Sequence, residues 1–377
     1  MRTRIAMVAV FFAIGTVAAN DDGAFSGDIR AGYFNTWQTA RNGEESRNDE
    51  YKMRFRLAAE KSFGDSLHGR IRLAGIQSSE QQGSDFYLRG YPSTRTGLAP
   101  GDATLDEAWV RFAPPGAGWS LRAGRMQTKF ELAGLTAKSL DRNDGASLDV
   151  NWTDGLHLTG AGWLEGWNSH VILQHNHEQR ASVTTRGPLD FSDSSSRVSL
   201  YAGLEAQKDY GPIIQRVIGF TFMPHALASG GIAQAEREHY AALDAKIAAG
   251  WPLSDSGRRF VAGIEVAYAF NTPGCTIIGT GDASKSDGLA WQIATSIHDI
   301  APDHHVGVAV GRAGGGWLLS PDFRNNDALY EIRYQWKISD AWSMDARYRM
   351  REEVSAPVTA LQQRQERDVF VRVTGKF

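Results

Sequence analysis

A chain of 377 residues with a formal net charge of −3 and a single cysteine excludes several classes at once. Cys275 alone supports neither a disulfide framework nor a cysteine zinc site, and the mild acidity argues against a nucleic-acid partner. Beyond residue 19 no apolar run approaches the roughly 20 residues that a membrane-spanning helix needs, so a helical membrane protein is excluded.

At the N-terminus, Arg2 and Arg4 precede an apolar run over residues 5–14, followed by the small residues Val17 and Ala19. A basic start, a short greasy core and a small-residue site predict a secretory signal over residues 1–19, cleaved after Ala19. A buried N-terminal helix is the alternative. Losing the leader removes Arg2 and Arg4 and leaves 38 basic against 43 acidic residues, a net charge of −5. No linker-like stretch divides residues 20–377, which read as one domain.

The first strand is expected over residues 28–37. Tyr51, Met53, Phe55 and Leu57 then alternate with Lys52, Arg54 and Arg56, and Leu67, Gly69, Ile71 and Leu73 with His68, Arg70 and Arg72. A helix would scatter these residues around its surface, whereas a strand sorts them onto two faces. Near the end, Ile332, Tyr334, Trp336 and Ile338 alternate with Arg333 and Lys337, and Trp342, Met344, Ala346, Tyr348 and Met350 with Arg347, Arg349 and Arg351. The last strand alternates Val369, Val371, Val373 and Gly375 with Arg372 and Lys376, and the chain stops on Phe377.

A soluble sandwich also alternates. Three features point instead to a transmembrane barrel. Aromatic residues close the greasy faces at Tyr51, Trp119, Trp342, Tyr348 and Phe377. Ten residues tilted near 45° rise about 23 Å, close to the roughly 25 Å apolar band of an outer membrane. Finally, short connections (61–66, 113–118, 153–155, 208–212, 250–257, 298–303, 339–341) alternate with long ones (38–50, 78–103, 126–145, 224–238, 271–286, 313–327, 352–366). Short periplasmic turns and long external loops are what such a barrel requires.

The chain shows 17 segments, a number that a barrel with both ends in the periplasm cannot have. The weak region lies between Trp163 and Arg197. Reading 180–186 as an extra strand gives an all-β, antiparallel up-and-down barrel of 18 strands; one hairpin fewer around 156–176 gives the alternative of 16.

The leader, the alternating strands and the terminal Phe377 together resemble the Gram-negative outer-membrane porins. A narrower likeness runs through Leu105-Asp106-Glu107-Ala108-Trp109-Val110-Arg111-Phe112, Leu121-Arg122-Ala123-Gly124-Arg125 and Ser139-Leu140-Asp141-Arg142. It is similar to the strand–turn–strand–loop segment of alginate-export and substrate-specific porins, in which an arginine-rich strand pair precedes a loop folded into the pore. Alginate as a substrate is not implied. The resemblance implies an outer-membrane location and Phe377 as an assembly signal read by the barrel assembly machinery. It also implies lipid around the wall, either a single barrel or a homotrimer, and no cofactor.

Porins select by pore width and by charged rings that replace part of a solute's hydration. One basic wall is expected from Lys52, Arg54, Arg56, Arg70, Arg72, Arg111 and Arg122 on the early strands. It continues into Arg333, Arg347, Arg349, Arg351 and Arg372, because first and last strands meet at closure. Asp149, Glu205, Asp244 and Glu265 form a weaker acidic side, with Lys246 as a basic exception. Small anionic solutes are the expected cargo. The competing reading pairs the arginines with Glu107, Glu331, Asp345 and Asp368 merely to satisfy a polar interior. Residues 126–145 mix Lys129, Glu131, Lys138, Asp141 and Arg142 with Leu132, Ala133 and Leu135, which suits a loop packed inside the pore as a constriction; a loop over the outer rim is the alternative.

Two other classes compete. A barrel hydrolase would draw on His175 and His177, on His298 and Asp299, or on His304 and His305, but none of these has a nucleophile motif beside it, and two ligands are too few for a structural metal. An adhesive or plugged barrel would carry a plug domain, and Ala24 leads almost directly into the first strand.

Overall fold

The computed structural model describes residues 24–81, 87–88, 98, 100–128, 130–134, 153–176, 188–191, 193–206, 209–228, 237–254, 257–281, 284–320, 323–357 and 359–377. The chain runs through β1 (Ala24–Thr39), β2 (Glu45–Phe63), β3 (Leu67–Ser78), a two-residue β4 (Tyr87–Leu88), β5 (Asp102–Phe112), β6 (Trp119–Met126), β7 (Thr153–Leu164) and β8 (Trp167–His175). It continues through β9 (Val198–Ala206), β10 (Ile213–Leu227), β11 (Glu238–Pro252), β12 (Arg259–Ala269), β13 (Leu289–Ala301), β14 (His304–Ala313), β15 (Asp327–Lys337), β16 (Trp342–Glu353) and β17 (Gln365–Lys376). Each long strand pairs antiparallel with the next, β3 pairs directly with β5, and β17 returns to β1 in a register from Asp28 opposite Lys376 to Thr39 opposite Gln365. β4 pairs parallel with β5 over two residues. The result is a closed sheet of sixteen wall strands, without the open edges that invite aggregation.

The smaller of the two strand counts therefore holds. β8 pairs directly with β9 from Trp167 opposite Ala206 to His175 opposite Val198, leaving no place in the wall for a strand over 180–186, which lie outside the described residues. One expected turn moves as well. Residues 153–155 lie in β7, and the β7–β8 turn is at 165–166, where Gly166 takes φ 76°. The Asp-Gly pair that looks like a turn serves a close strand approach: a Cβ on Gly155 would stand 1.9 Å from the Leu173 carbonyl oxygen of β8. The first loop is shorter than expected, since β1 and β2 extend to a tight connection at 40–44.

The wall sorts its side chains by parity. Outward positions such as Leu57, Ile71, Val110, Ile264, Val308, Ile332 and Val371 are apolar yet exposed. A continuous apolar belt of this kind suits hydrocarbon rather than water. Tyr51, Trp119, Trp342 and Tyr348 are also exposed on this outer face. Inward positions are mostly charged or polar, and are small residues or a few large ones such as Tyr201 and Tyr240 where loops pack on them. Phe377 closes the seam, exchanging backbone hydrogen bonds with Gly27 at 2.8 and 3.1 Å.

Candidate functional site

The interior is built from three groups: an arginine wall, an acidic patch, and segments that fold inward over the patch. The arginine wall spans β15, β16, β17, β1, β2, β3 and β5. Most of its members are not free cations. Asp28 pairs with Arg54 and lies 3.8 Å from Arg30, and Glu331 takes Arg333 at 3.0 Å and Arg347 at 3.8 Å. Asp368 bridges Arg347 at 2.5 Å and Arg349 at 2.6 Å, while Glu366 holds Arg351 at 3.1 Å and Arg324 at 2.7 Å. Arg372 reaches Asp345 at 2.8 Å, and Lys52 pairs with Glu50 at 2.5 Å.

A local irregularity supplies two more carboxylates. On β5 the register with β3 shifts between Arg72 and Leu73, so Glu107 faces Arg72 while Leu105 faces Leu73 and Asp106 is the extra residue. Such a bulge re-aims side chains, and consecutive acids, Asp106 and Glu107, are both buried. Asp106 takes Arg56 at 3.1 Å and Arg72 at 2.8 Å; Glu107 takes Arg70 at 2.6 Å and Arg72 at 3.0 Å. Strict alternation along 105–112 hides this, and the bulge leaves no mark in the sequence.

Carboxylates answer many of these arginines. Glu107, Glu331, Asp345 and Asp368 do pair with them, yet carboxylates are repeatedly shared between two guanidiniums. Among the described pairs, Arg333, Arg347 and Arg349 share two carboxylates, Glu331 and Asp368, and Arg30 and Arg54 share Asp28, so guanidiniums outnumber acids in these groups. Arg30, Lys52, Arg70 and Arg72 are half-buried toward the lumen, with Lys52 beside Glu50 and Arg70 also beside Glu60. At the mouth, Arg41 joins Glu353, and that hydrogen bond raises the Arg41 guanidinium above its ordinary range.

The acidic patch lies opposite. Lys246 sits 3.1 Å from Glu265 and 3.8 Å from Asp244, and Gln292 donates to Glu265 at 2.6 Å. All four are buried. Their cover is the segment after β6, which crosses the barrel. Lys246 donates to the Phe130 carbonyl, and Phe130 stacks on Tyr201 with ring centres 4.8 Å apart. Leu132 packs on Ala248, Ala294 and Ala309, from β11, β13 and β14. Gln215 of β10 fastens the crossing, accepting from the Ala133 N–H at 2.7 Å and donating to the Glu131 carbonyl at 2.8 Å. Lys129, Lys138, Asp141, Arg142 and Asp149 lie outside the described residues. Glu205 stays partly accessible, 3.6 Å from His170.

A second infolded segment escaped the sequence reading. Trp317, Leu318, Leu319 and Phe323, between β14 and β15, are buried together with Leu189, Phe191, Met223 and Leu227 against inward alanines of β11–β14. Tyr240 pins the segment, donating to the Gly316 carbonyl at 3.2 Å and accepting from the Leu318 N–H at 2.9 Å. A detectable signal was present: Ala242, Ala267, Ala269, Ala290 and Ala313 put a small residue wherever a wet lumen would carry a polar one.

The histidines weighed for catalysis sit in local contacts. His298 lies 3.0 Å from the Ser296 hydroxyl, His305 accepts from the Asp299 N–H at 3.1 Å, and His304 meets the Tyr334 hydroxyl at 2.5 Å. His175 is exposed at the end of β8, and His177 lies outside the described residues. Among the described residues no three His, Cys, Asp or Glu side chains are grouped to hold a metal ion.

Comparison with known proteins places the architecture. OprB of Pseudomonas putida superposes with a TM-score of 0.61 at 10% identity, covering 95% of this chain and 94% of that one. The likeness is one of fold. The anion-selective porin from Comamonas acidovorans matches with a TM-score of 0.54 at 11% identity over 94% of this chain and 99% of that one. OccK9 (OpdG) of Pseudomonas aeruginosa matches with a TM-score of 0.53 at 15% identity over 95% and 99%. No family model and no curated protein matches the chain.

Proposed function

We propose that this protein is an outer-membrane porin of a Gram-negative cell, a water-filled channel through which small hydrophilic anions diffuse. One observation carries the reading. The infolded segment covers Asp244, Lys246 and Glu265 on one side of the lumen, while the other side keeps guanidiniums that share their carboxylates. A permeating ion then feels the positive wall more than the acidic one, although the protein as a whole is acidic. At about 0.15 M salt, screening acts over roughly 8 Å, so wall charges reach an ion in a narrowed pore. The apolar outer belt supports placement in lipid, and the anion-selective porin from Comamonas acidovorans shares the fold. Residues 1–19 act in this reading as a leader removed after Ala19, and residues 20–377 form the barrel domain.

The test is a planar-bilayer recording in asymmetric KCl, on protein extracted from the outer-membrane fraction with Asn20 at its N-terminus. The reversal potential is expected on the chloride side, moving toward cations when Arg70 and Arg72 are replaced by Ser. A wild-type pore that already prefers potassium would sink the proposal.

A further inference from the structure

Two arginines stand apart from the shared-carboxylate wall. Arg111 on β5 and Arg122 on β6 are directly opposite each other in the sheet register, with His68 of β3 opposite Arg111 and His157 of β7 opposite Arg122. Neither arginine has a carboxylate partner among the described residues. Glu107, the acid of the same wall, is occupied by Arg70 and Arg72 at 2.6 and 3.0 Å. The flanking histidines add no acceptor charge: His68 is tied to the Ser62 hydroxyl at 2.8 Å, and His157 to His170 and Thr159 at 3.1 and 3.2 Å.

The donors at this spot are ordered but unanswered. The Arg122 guanidinium lies on the Trp109 ring, 4.7 Å from its centre. The Nε groups of Arg111 and Arg122 and the indole Nε1 of Trp109 are buried without a hydrogen-bond partner. Like charges directly opposite on a sheet repel, and buried donors without acceptors are costly. An aromatic face that fixes one guanidinium leaves its donor edge to something else.

We infer that Arg111 and Arg122 form a binding station for one phosphate-type oxyanion in the lumen, near the end of the barrel that carries the short turns. This rests on the anion-channel reading and narrows it to a substrate class. The choice of phosphate over carboxylate follows from donor count. A carboxylate that bridges two guanidiniums, as Asp368 does, has one oxygen for each, whereas a phosphoryl group can fill one fork with two oxygens and still offer a third to the second. The shared chemistry covers the free ion and a phosphate ester.

The test records chloride current through the reconstituted barrel while inorganic phosphate is added. Phosphate is expected to block the current, and acetate at equal charge to block it far less. Arg111→Gln and Arg122→Gln should each raise the half-blocking phosphate concentration about tenfold, the scale of one lost charge-assisted contact. Arg111→Lys keeps the charge without the fork and should also weaken the block, which separates recognition from simple attraction. Arg312→Gln, an exposed residue outside the lumen, should leave it unmoved. Block by glycerol 3-phosphate as well would assign the phosphoryl group in general, and block by inorganic phosphate alone the free ion. Chloride current with no phosphate block, or block indifferent to both arginine changes in variants that still conduct, would overturn the station alone. Absence of any chloride current in the wild type would bring down the channel reading, and the station with it.

Discussion

Asp368 shows how a lumen of arginines holds together. Its two oxygens answer Arg347 and Arg349 at 2.5 and 2.6 Å, and all three side chains are nearly buried. Removing the charge would leave two guanidiniums facing each other without the carboxylate they share, and breaking a buried ion pair by removing one partner commonly costs about 3 kcal/mol or more. Asp368→Asn should therefore lower the stability of the folded barrel by about 3 kcal/mol, read as an earlier loss of the folded form on denaturant titration in detergent. Asp340→Asn is the contrast. Asp340 is fully exposed in the β15–β16 turn, and its hydrogen bond from Lys337 at 2.7 Å holds its carboxyl below the usual range. Solvent screens that pair, so the variant should titrate like wild type. Equal losses in the two variants would show that the buried sharing has no special weight.

At the level of the element, the decisive strand is β17, because it alone makes the sheet close on β1. Its final partner lies just beyond it: Phe377 exchanges two backbone hydrogen bonds with Gly27, and its ring lies against that glycine. Deleting Phe377 removes this pair and exposes the seam where first and last strands must find each other. The expected outcome is a reduced folded fraction in the outer membrane, measured by heat-modifiable migration of whole-cell protein, with normal stability of the barrels that do form. Unchanged folded yield would make Phe377 an ordinary rim aromatic. The strands themselves were largely legible, since period-two alternation survives in β2, β3, β15, β16 and β17 regardless of context. What the alternation missed were the departures from it: the bulge at Asp106, where two neighbours point the same way, and the Gly155 approach that imitates a turn.

For the whole molecule, the distribution of charge depends on the segment that crosses the lumen. Replacing Phe130 and Leu132 by Ser removes the stacking on Tyr201 and the packing on Ala248, Ala294 and Ala309. Single-channel conductance should then rise, and chloride preference should fall, because Asp244 and Glu265 become accessible to the permeating ion. Higher conductance with unchanged selectivity would show that the buried acids do not matter to the pore. Unchanged conductance would mean that the crossing does not set the width.

The sequence by itself determined the class of this protein, because an outward apolar face and an inward charged face are written residue by residue in a strand's parity. It also placed arginines on the first and last strands, which closure was bound to bring together. Only the tertiary structure decided which charges answer each other. Asp28 meets Arg54, and Glu366 meets Arg324, through contacts between strands and loops that no local pattern encodes. The strand count was likewise settled by the direct pairing of β8 with β9 rather than by composition. The acidic side illustrates the reason most clearly: Asp244 and Glu265 are inward by parity, but a segment anchored on the far side of the barrel covers them.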